Sequence, residues 1–395
     1  MTTLPQAAWQ DRPGMDKLLD ALGGGEGETR WVGGCVRDTL LGLEVSDVDL
    51  ATRLRPDEVI RRLEAARIKA VPTGLAHGTV TGVVGGAPVE ITTLRRDVAT
   101  DGRRATIAFT DDWREDAARR DFTINALSAD PASGEIFDYF EGLADLEARR
   151  VRFIGDPLAR IAEDHLRILR FFRFHARFGR DAPDTAGLAA CAARANDLMA
   201  LSRERIADEL LKLLALPDPA PTVALMVEQG IFRPVLPEIA EADRLLALVA
   251  AEQKAGIAAD PLRRLAALLP VDADAAAGLA GRLRLSKRQT RRLVSAARPG
   301  LDSPERLAYW LGSAEAIDRI LLHGTAEPGL AGLQQWQKPR LPVGGGDLVA
   351  RGLKAGPLVA ATLQAIEREW VESGFPKEVD ALVGRHVAQA LRSSQ

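Results

Sequence analysis

Two periodicities divide the chain. Up to about residue 140, apolar positions alternate with polar ones at a period of two, interleaved with short helical repeats; from about 141 the period of two vanishes, and Ala, Leu and Arg recur at helical spacing to the end. In the first part Met15–Leu22 reads as a helix, Trp31-Val32 as an apolar strand, the stretch from Val36 as a helix and Asp47–Ala51 as a strand. Pro56 marks a helix start ahead of the amphipathic run Asp57–Arg67. Lys69–Val71, Thr79–Val84 and Pro88–Leu94 alternate as strands, with Gly85-Gly86 as a hairpin turn. Arg95–Asp112, with Asp101-Gly102 inside it, is a polar excursion long enough to be a loop. In the second part, helices are broken at Pro217, Pro219 and Pro221, at Pro270, at Pro299-Gly300 and at Pro342 to Gly346. The pattern predicts an α+β chain: a head of mixed sheet and helices over 1–140, then an all-helical neck (141–215), body (216–300) and tail (301–395).

A length of 395 residues is too much for one ordinary core, in line with several domains. No run of 18 uncharged apolar residues exists, and the opening Met1-Thr2-Thr3-Leu4-Pro5 lacks a signal-peptide plan, so a cytoplasmic chain with no membrane association is expected. Cys35 and Cys191 lie far apart and the five His are scattered, which speaks against a zinc site. The net charge of −3 argues against a wholesale polyanion binder without excluding one, because local patches decide affinity for nucleic acid. Between Arg149 and Arg180 there are nine Arg, no Lys and three acids, with Phe171, Phe172, Phe174 and Phe178 interleaved. A second run, Arg282, Arg284, Lys287, Arg288, Arg291, Arg292 and Arg298, contains no acid. It reads either as a solvated helix face or as a surface for RNA.

The densest chemistry lies in residues 31–52. Apolar Trp31-Val32 runs into Gly33-Gly34, then Arg37-Asp38, and eight residues later Asp47-Val48-Asp49-Leu50. Side chains at i and i+2 of a strand share a face, so Asp47 and Asp49 project together while Val48 and Leu50 face the core. Two neighbouring carboxylates repel unless a cation sits between them, and hard oxygen ligands suit Mg²⁺. The Gly33-Gly34 turn offers backbone N–H groups to a phosphate. Asp-x-Asp alone is common; the joint pattern resembles the opening motif of the DNA polymerase beta-like nucleotidyltransferases, in the branch of tRNA CCA-adding enzymes and bacterial poly(A) polymerases. The resemblance implies phosphoryl transfer with two Mg²⁺ ions, Asp47 and Asp49 as metal ligands, and Gly33, Gly34 and Arg37 at the nucleotide.

Glu90 interrupts the β-branched run Val89 to Thr93. It reads either as a solvent-facing strand carboxylate or as a third catalytic acid on a neighbouring strand. Arg119-Arg120-Asp121-Phe122-Thr123-Ile124-Asn125-Ala126 is similar to the family's nucleotide-pocket phrase. By that resemblance Arg120 grips the triphosphate, Asp121 accepts from the ribose 2′-OH, and Asn125 belongs to the same pocket; a fixed carboxylate left unpaired would reject a deoxy sugar. Gly142-Leu143-Ala144-Asp145 resembles the family's hinge between head and helices, whereas His77 reads as structural.

Glu163-Asp164-His165-Leu166-Arg167-Ile168-Leu169-Arg170-Phe171-Phe172-Arg173 reads as one helix, with Asp164, Arg167, Arg170 and Arg173 in a slowly drifting stripe. It matches the family's base-reading motif position by position. A carboxylate accepts from the exocyclic amine shared by cytosine and adenine, and a guanidinium donates to their ring nitrogen. Uracil and guanine present a carbonyl and an N–H instead, so both contacts turn repulsive. Asp164 with Arg167 therefore selects C and A without a template, and Arg170 and Arg173 are left to reach phosphates.

The matches cover residues 31–178, with looser echoes at Ser202–Ile206 and Gly346–Pro357. They imply addition of C, C and A to tRNA 3′ ends from CTP and ATP, with tRNA as the macromolecular partner and no protein partner. A bacterial poly(A) polymerase is the nearest alternative; its basic segment after the metal strand is replaced here by Val71 to Val80, which favours CCA addition. A-only or CC-only tRNA enzymes stay open, and a non-catalytic RNA-binding protein on the same scaffold is the remote alternative. No His-Asp phosphohydrolase motif is present.

Overall fold

The computed structural model describes residues 2–101, 104–298, 300, 302–324 and 330–393, in two compact units, Met1–Pro237 and Glu238–Gln395. The first unit holds the head and neck expected from sequence together with residues 216–237, and the second holds the remainder of the expected body with the tail.

Among the described residues the first unit holds nine strands: β1 (Thr29–Val32), β2 (Asp49–Thr52), β3 (Lys69–Gly74), β4 (Thr79–Val84), β5 (Ala87–Thr93), β6 (Arg95–Asp101), β7 (Arg104–Phe109), β8 (Ser128–Ala129) and β9 (Ile136–Phe137). Seven form a mixed sheet in the order β3-β4-β5-β2-β1-β8-β9. Only the β2–β5 pairing in it is parallel, and its register sets Asp49 beside Glu90. The helices α1 (Met15–Ala21) and α3 (Pro56–Ala65) pack on β4, where Leu18, Leu63 and Ile91 close around Gly82. Pro56 opens α3, and Asp57 and Glu58 complement its N-terminus. Between them lies α2 (Gly34–Leu40), directly after β1.

Two local expectations change. Arg95–Asp112 is not a loop: β6 and β7 pair antiparallel as a two-stranded sheet of their own, with Gly102 and Arg103 outside the described residues. A two-stranded ribbon outside the main sheet need not carry the period-two face of a sheet packed on a core, so its sequence reads as a polar excursion. Strand β2 also begins at Asp49, so Asp47 precedes the strand; the ladder extends back to Val48, whose carbonyl accepts the Glu90 N–H at 3.2 Å. The alternation nonetheless holds, with Val48 and Leu50 buried.

Helix α4 (Trp113–Ala118) belongs to the head; the neck runs through α5 (Gly142–Glu147), α6 (Pro157–Glu163), α7 (Arg167–Phe178), α8 (Thr185–Ala193) and α9 (Arg203–Leu214), and α10 (Ala220–Glu228) follows it in the first unit. At the start of α5 the chain passes so close that a Cβ on Gly142 would stand 2.4 Å from the Thr123 carbonyl oxygen. Asp145, wholly buried on α5, accepts from Thr123 Oγ1 at 2.6 Å, Arg150 Nε at 2.7 Å and Arg152 Nε at 2.9 Å, pinning head to neck. The aromatic residues of the basic run are core: Phe171 stacks on Phe153 at 5.5 Å, and Phe122 lies 5.0 Å from Phe153. Each fully buried ring contributes about 1.5–3 kcal/mol.

Among the described residues of the second unit the regular elements are all helices. One of its cores gathers Tyr309, Leu348, Ile366, Trp370 and Val383. Among the described residues no helix is long and apolar enough to cross a membrane. Cys35 and Cys191 are both buried and unbridged.

Candidate active site

A cavity of about 540 Å³ in the first unit draws together Gly33, Gly34, Arg37, Asp47, Asp49, Arg120, Asp121, Asn125, Asp164, Arg167 and Arg170. These residues come from the β1–α2 turn, the start of β2, the loop after α4 and the α6–α7 segment. Two of the expected site residues, Glu90 and Arg173, do not line it.

Gly33 makes the turn from β1 into α2 with φ 69° and ψ −120°, a conformation open only to glycine. A Cβ there would also lie 2.9 Å from Arg120 Nη1. The Gly33 N–H is spent on the Leu127 carbonyl at 3.0 Å, so this amide does not serve the phosphate cradle expected of it. Absence of a side chain at Gly33 instead lets the Arg120 guanidinium lie against the turn.

Asp47 is exposed and accepts from Ser46 Oγ at 2.9 Å. Asp49 is half-buried on the cavity wall. Burial first, and then the Glu90 charge, push its carboxyl up to about 6, against the pull of nearby Arg120. Among the described residues no three acidic, His or Cys side chains gather into a ready metal cage. A pair of carboxylates, one of them carrying unrelieved negative charge, fits a hard divalent cation that keeps several waters.

The Arg119-Arg120-Asp121 turn is held from several directions. Buried Asp116 binds Arg119 at 2.8 Å and Arg120 at 3.4 Å. Arg160 Nη2 donates to the carbonyls of Arg119 and Arg120, both at 2.6 Å. Asp121 accepts from Phe122 N and Asn125 Nδ2, both at 2.9 Å, and from Arg170 at 2.6 Å. Burial opposes its charge, but Arg170 and these donors outweigh it and hold the carboxyl below the usual range. Asn125 Oδ1 in turn accepts from Arg37, which pairs with Asp38 at 2.6 Å and lies 4.1 Å over the Phe178 ring. Burial lowers the Arg37 pKa despite that partner. Asp121 thus organises a network, with most of its accepting capacity already taken, rather than standing open to a sugar hydroxyl.

The stretch expected to read the base is not one helix. α6 ends at Glu163, Asp164 is extended (φ −152°, ψ 106°), and α7 starts at Arg167. Asp164 Oδ1 accepts from Leu166 N at 3.1 Å and Oδ2 from Arg205 Nη2 at 2.7 Å. Arg167 donates to Glu163 Oε2 at 2.5 Å and to the carbonyls of Arg160 at 2.7 Å and Arg119 at 3.3 Å. Arg170 and Arg173, expected to reach phosphates, are committed elsewhere: Arg170 to Asp121, and Arg173 to buried Glu209 at 2.6 Å.

Comparison with known proteins gives this geometry a family. Residues 29–152 match the model of the poly A polymerase head domain, and residues 183–243 match that of a probable RNA and SrmB-binding site of polymerase A. The mitochondrial CCA tRNA nucleotidyltransferase 1 of Mus musculus is 36% identical over 394 residues, spanning 94% of this chain and 89% of that protein. The chain belongs to the CCA-adding tRNA nucleotidyltransferase family. A CCA-adding enzyme of Levilactobacillus brevis is 33% identical over 90% of this chain and 92% of its own length. The crystal structure of Bacillus stearothermophilus CCA-adding enzyme in complex with CTP superposes with a TM-score of 0.76 at 27% identity, over 97% of this chain and 100% of that one. A Thermotoga maritima CCA-adding enzyme complexed with tRNA shares the fold at a TM-score of 0.68 and 18% identity, each chain covered in full.

Within this family member, the sequence assigns no site role to several cavity residues: Asp38 and Arg205, although both lie inside motif stretches, and Phe174 and Arg177. Arg177 lies 3.4 Å from Asp38 across 139 positions, and only the run of arginines on the neck hinted that any would return to the head.

Proposed function

We propose that this chain is a template-independent tRNA nucleotidyltransferase that adds C, C and A to tRNA 3′ ends from CTP and ATP and releases pyrophosphate. The observation that carries this reading is that one cavity holds both the Asp47/Asp49 pair and the Asp164/Arg167 pair. Catalyst and base reader therefore share one nucleotide. CCA-adding relatives aligned over nine-tenths of the chain support it over poly(A) synthesis. The intact acids disfavour a non-catalytic RNA-binding protein. Full CCA addition is separated from A-only or CC-only addition by comparing unprimed tRNA with tRNA already ending in CC.

In the reaction, the terminal tRNA hydroxyl oxygen bonds to the α-phosphorus as the bond to the pyrophosphate oxygen breaks. Asp47 and Asp49 would hold Mg²⁺; bound as a pair of ions, it supplies positive charge for the attacking and leaving oxygens. Arg120, set by Asp116 against Gly33, faces the triphosphate. Asp164 accepts the exocyclic amine of cytosine or adenine. Three of the five N–H donors of Arg167 are used by protein acceptors, which leaves donors for the ring nitrogen. The two buried, unbridged thiols suit a reducing compartment, and we place the activity in the cytoplasm.

The tRNA body would lie on the basic helix Lys287–Ala296 of the second unit. Its expected contacts divide in two. Lys287, Arg288 and Arg291 are exposed, as is Arg284 just before it. Arg291 also comes within 3.8 Å of Glu315; Arg282, exposed as well, pairs with Glu238, whereas Arg292 is locked between Asp318 at 2.6 Å and Asp260 at 2.8 Å. The same helix borders a cleft of about 570 Å³ lined by Arg291, Arg298, Arg319 and half-exposed Trp310, chemistry suited to phosphates and unpaired bases. Reversing Lys287, Arg288 and Arg291 to Glu should raise the tRNA KM on the order of tenfold or more at low salt, with CTP KM unchanged. Steady-state kinetics at two salt concentrations check this, and an unchanged tRNA KM returns the helix to an ordinary solvated face.

A further inference from the structure

Asp164 sits where no helix holds it, in the extended break between α6 and α7. Its carboxylate is nevertheless fixed from two sides, by the Leu166 N–H at 3.1 Å and by Arg205 Nη2 at 2.7 Å. Arg205 comes from the first turn of α9 and lines the same cavity. One turn further on, buried Glu209 binds Arg173 at 2.6 Å and approaches Arg170 at 3.8 Å. Residues four apart on a helix share a face, so one face of α9 grips the base-reading segment at both ends.

We infer that Arg205 is a positioning residue for nucleotide choice, fixing the Asp164 carboxylate so that its remaining lone pairs meet an exocyclic amine in a single register. The inference rests on the base-reading role proposed for Asp164. A carboxylate has about four lone-pair sites; with one oxygen held by the Leu166 amide and the other by Arg205, the contact left for a base is directional. Without Arg205, Asp164 keeps only the local amide and can turn about its side-chain torsions. It then accepts in shifted registers or through a bridging water. Water both donates and accepts, so it satisfies the carbonyls of uracil and guanine as readily as an amine. Discrimination weakens, while the Asp47/Asp49 pair at β2 keeps its own surroundings. A clamp that only stabilised the neck would instead slow all four nucleotides alike.

The test is kcat/KM for CTP, UTP, ATP and GTP in Arg205→Ala, Arg205→Gln and Arg205→Lys, with Asp164→Asn alongside and a melting temperature for each. In Arg205→Ala the CTP-to-UTP ratio should fall about tenfold, the worth of one good base contact, and further than kcat for CTP falls. Arg205→Lys should recover part of the ratio, since an ammonium reaches the carboxylate without the planar fork. Where Arg205→Ala does not fold, Arg205→Gln decides by the same ratio. A ratio unchanged in the folded variants, whatever happens to the rate, overturns the inference. Should Asp164→Asn also leave the ratio intact, the base-reading proposal fails with it; if Asp164→Asn alone relaxes it, only the role of Arg205 falls.

Discussion

Asp49→Ala should lower kcat for both CTP and ATP by at least two orders of magnitude, with little change in tRNA affinity. Losing a carboxylate ligand removes transition-state charge stabilisation worth several kcal/mol, and about 2.7 kcal/mol is a factor of a hundred. The fold should not suffer. Burial and the neighbouring Glu90 raise the Asp49 carboxyl to about 6, so its charge costs stability at neutral pH when no cation is bound. Removing it should leave the metal-free melting temperature unchanged or slightly higher. Asp47→Ala should behave alike in rate, since Asp47 lines the same cavity as Asp49. Turnover, filter binding of tRNA and thermal melting read the three quantities. More than about a tenth of wild-type turnover at saturating Mg²⁺ in either variant would remove that residue from the metal site.

Asp164→Asn and Arg167→Ala should relax nucleotide choice. An amide both donates and accepts, so Asn tolerates the carbonyl of uracil or guanine that an ionised carboxylate repels. Losing Arg167 removes the donor that penalises an N–H at the ring nitrogen. At about 1–3 kcal/mol per good base contact, selectivity against UTP and GTP should fall on the order of ten- to a hundredfold in each. Arg167 also holds the Arg119 carbonyl at 3.3 Å, two residues from Asp121, so its removal will slow CTP and ATP addition as well. The ratio of kcat/KM values, not the rate, is therefore the readout. Intact selectivity with a collapsed rate would make the α6–α7 segment structural.

What could be read from sequence was whatever the chemistry keeps contiguous. Gly33, Asp47 and Asp49 lie within 17 positions, and their types and spacing single them out as residues of one site; the structure does bring all three to one cavity, although the Gly33 amide is spent on Leu127. Strands β1, β2, β4 and β5 and helix α3 were legible because each buries apolar positions at its own period, whereas the ribbon β6–β7 and the two-residue strands β8 and β9 were not. The partners of the charged residues were not. Arg173 looks like Arg167 in a periodic stripe, yet it ends on Glu209, 36 positions away, at 2.6 Å. Arg292 reads like Arg288 and Arg291 but is drawn inward by Asp318. An arginine's sequence neighbours fix its helix face, whereas the buried acid that claims it comes from a distant helix. The break at Asp164 was hidden for a similar reason: every residue from Glu163 to Leu166 is tolerated in a helix, and the extended turn is held by a local bond from Leu166 N and a tertiary one from Arg205.

The central claim is most directly tested by incubating purified protein and Mg²⁺ with tRNA stripped of its 3′ end, offering each labelled nucleotide alone and CTP with ATP together, and sequencing the products. The account predicts two C residues from CTP alone, completion to C, C and A with both nucleotides, and a halt there. Long A tails, no addition until C and C are already present, or no incorporation at all would contradict it.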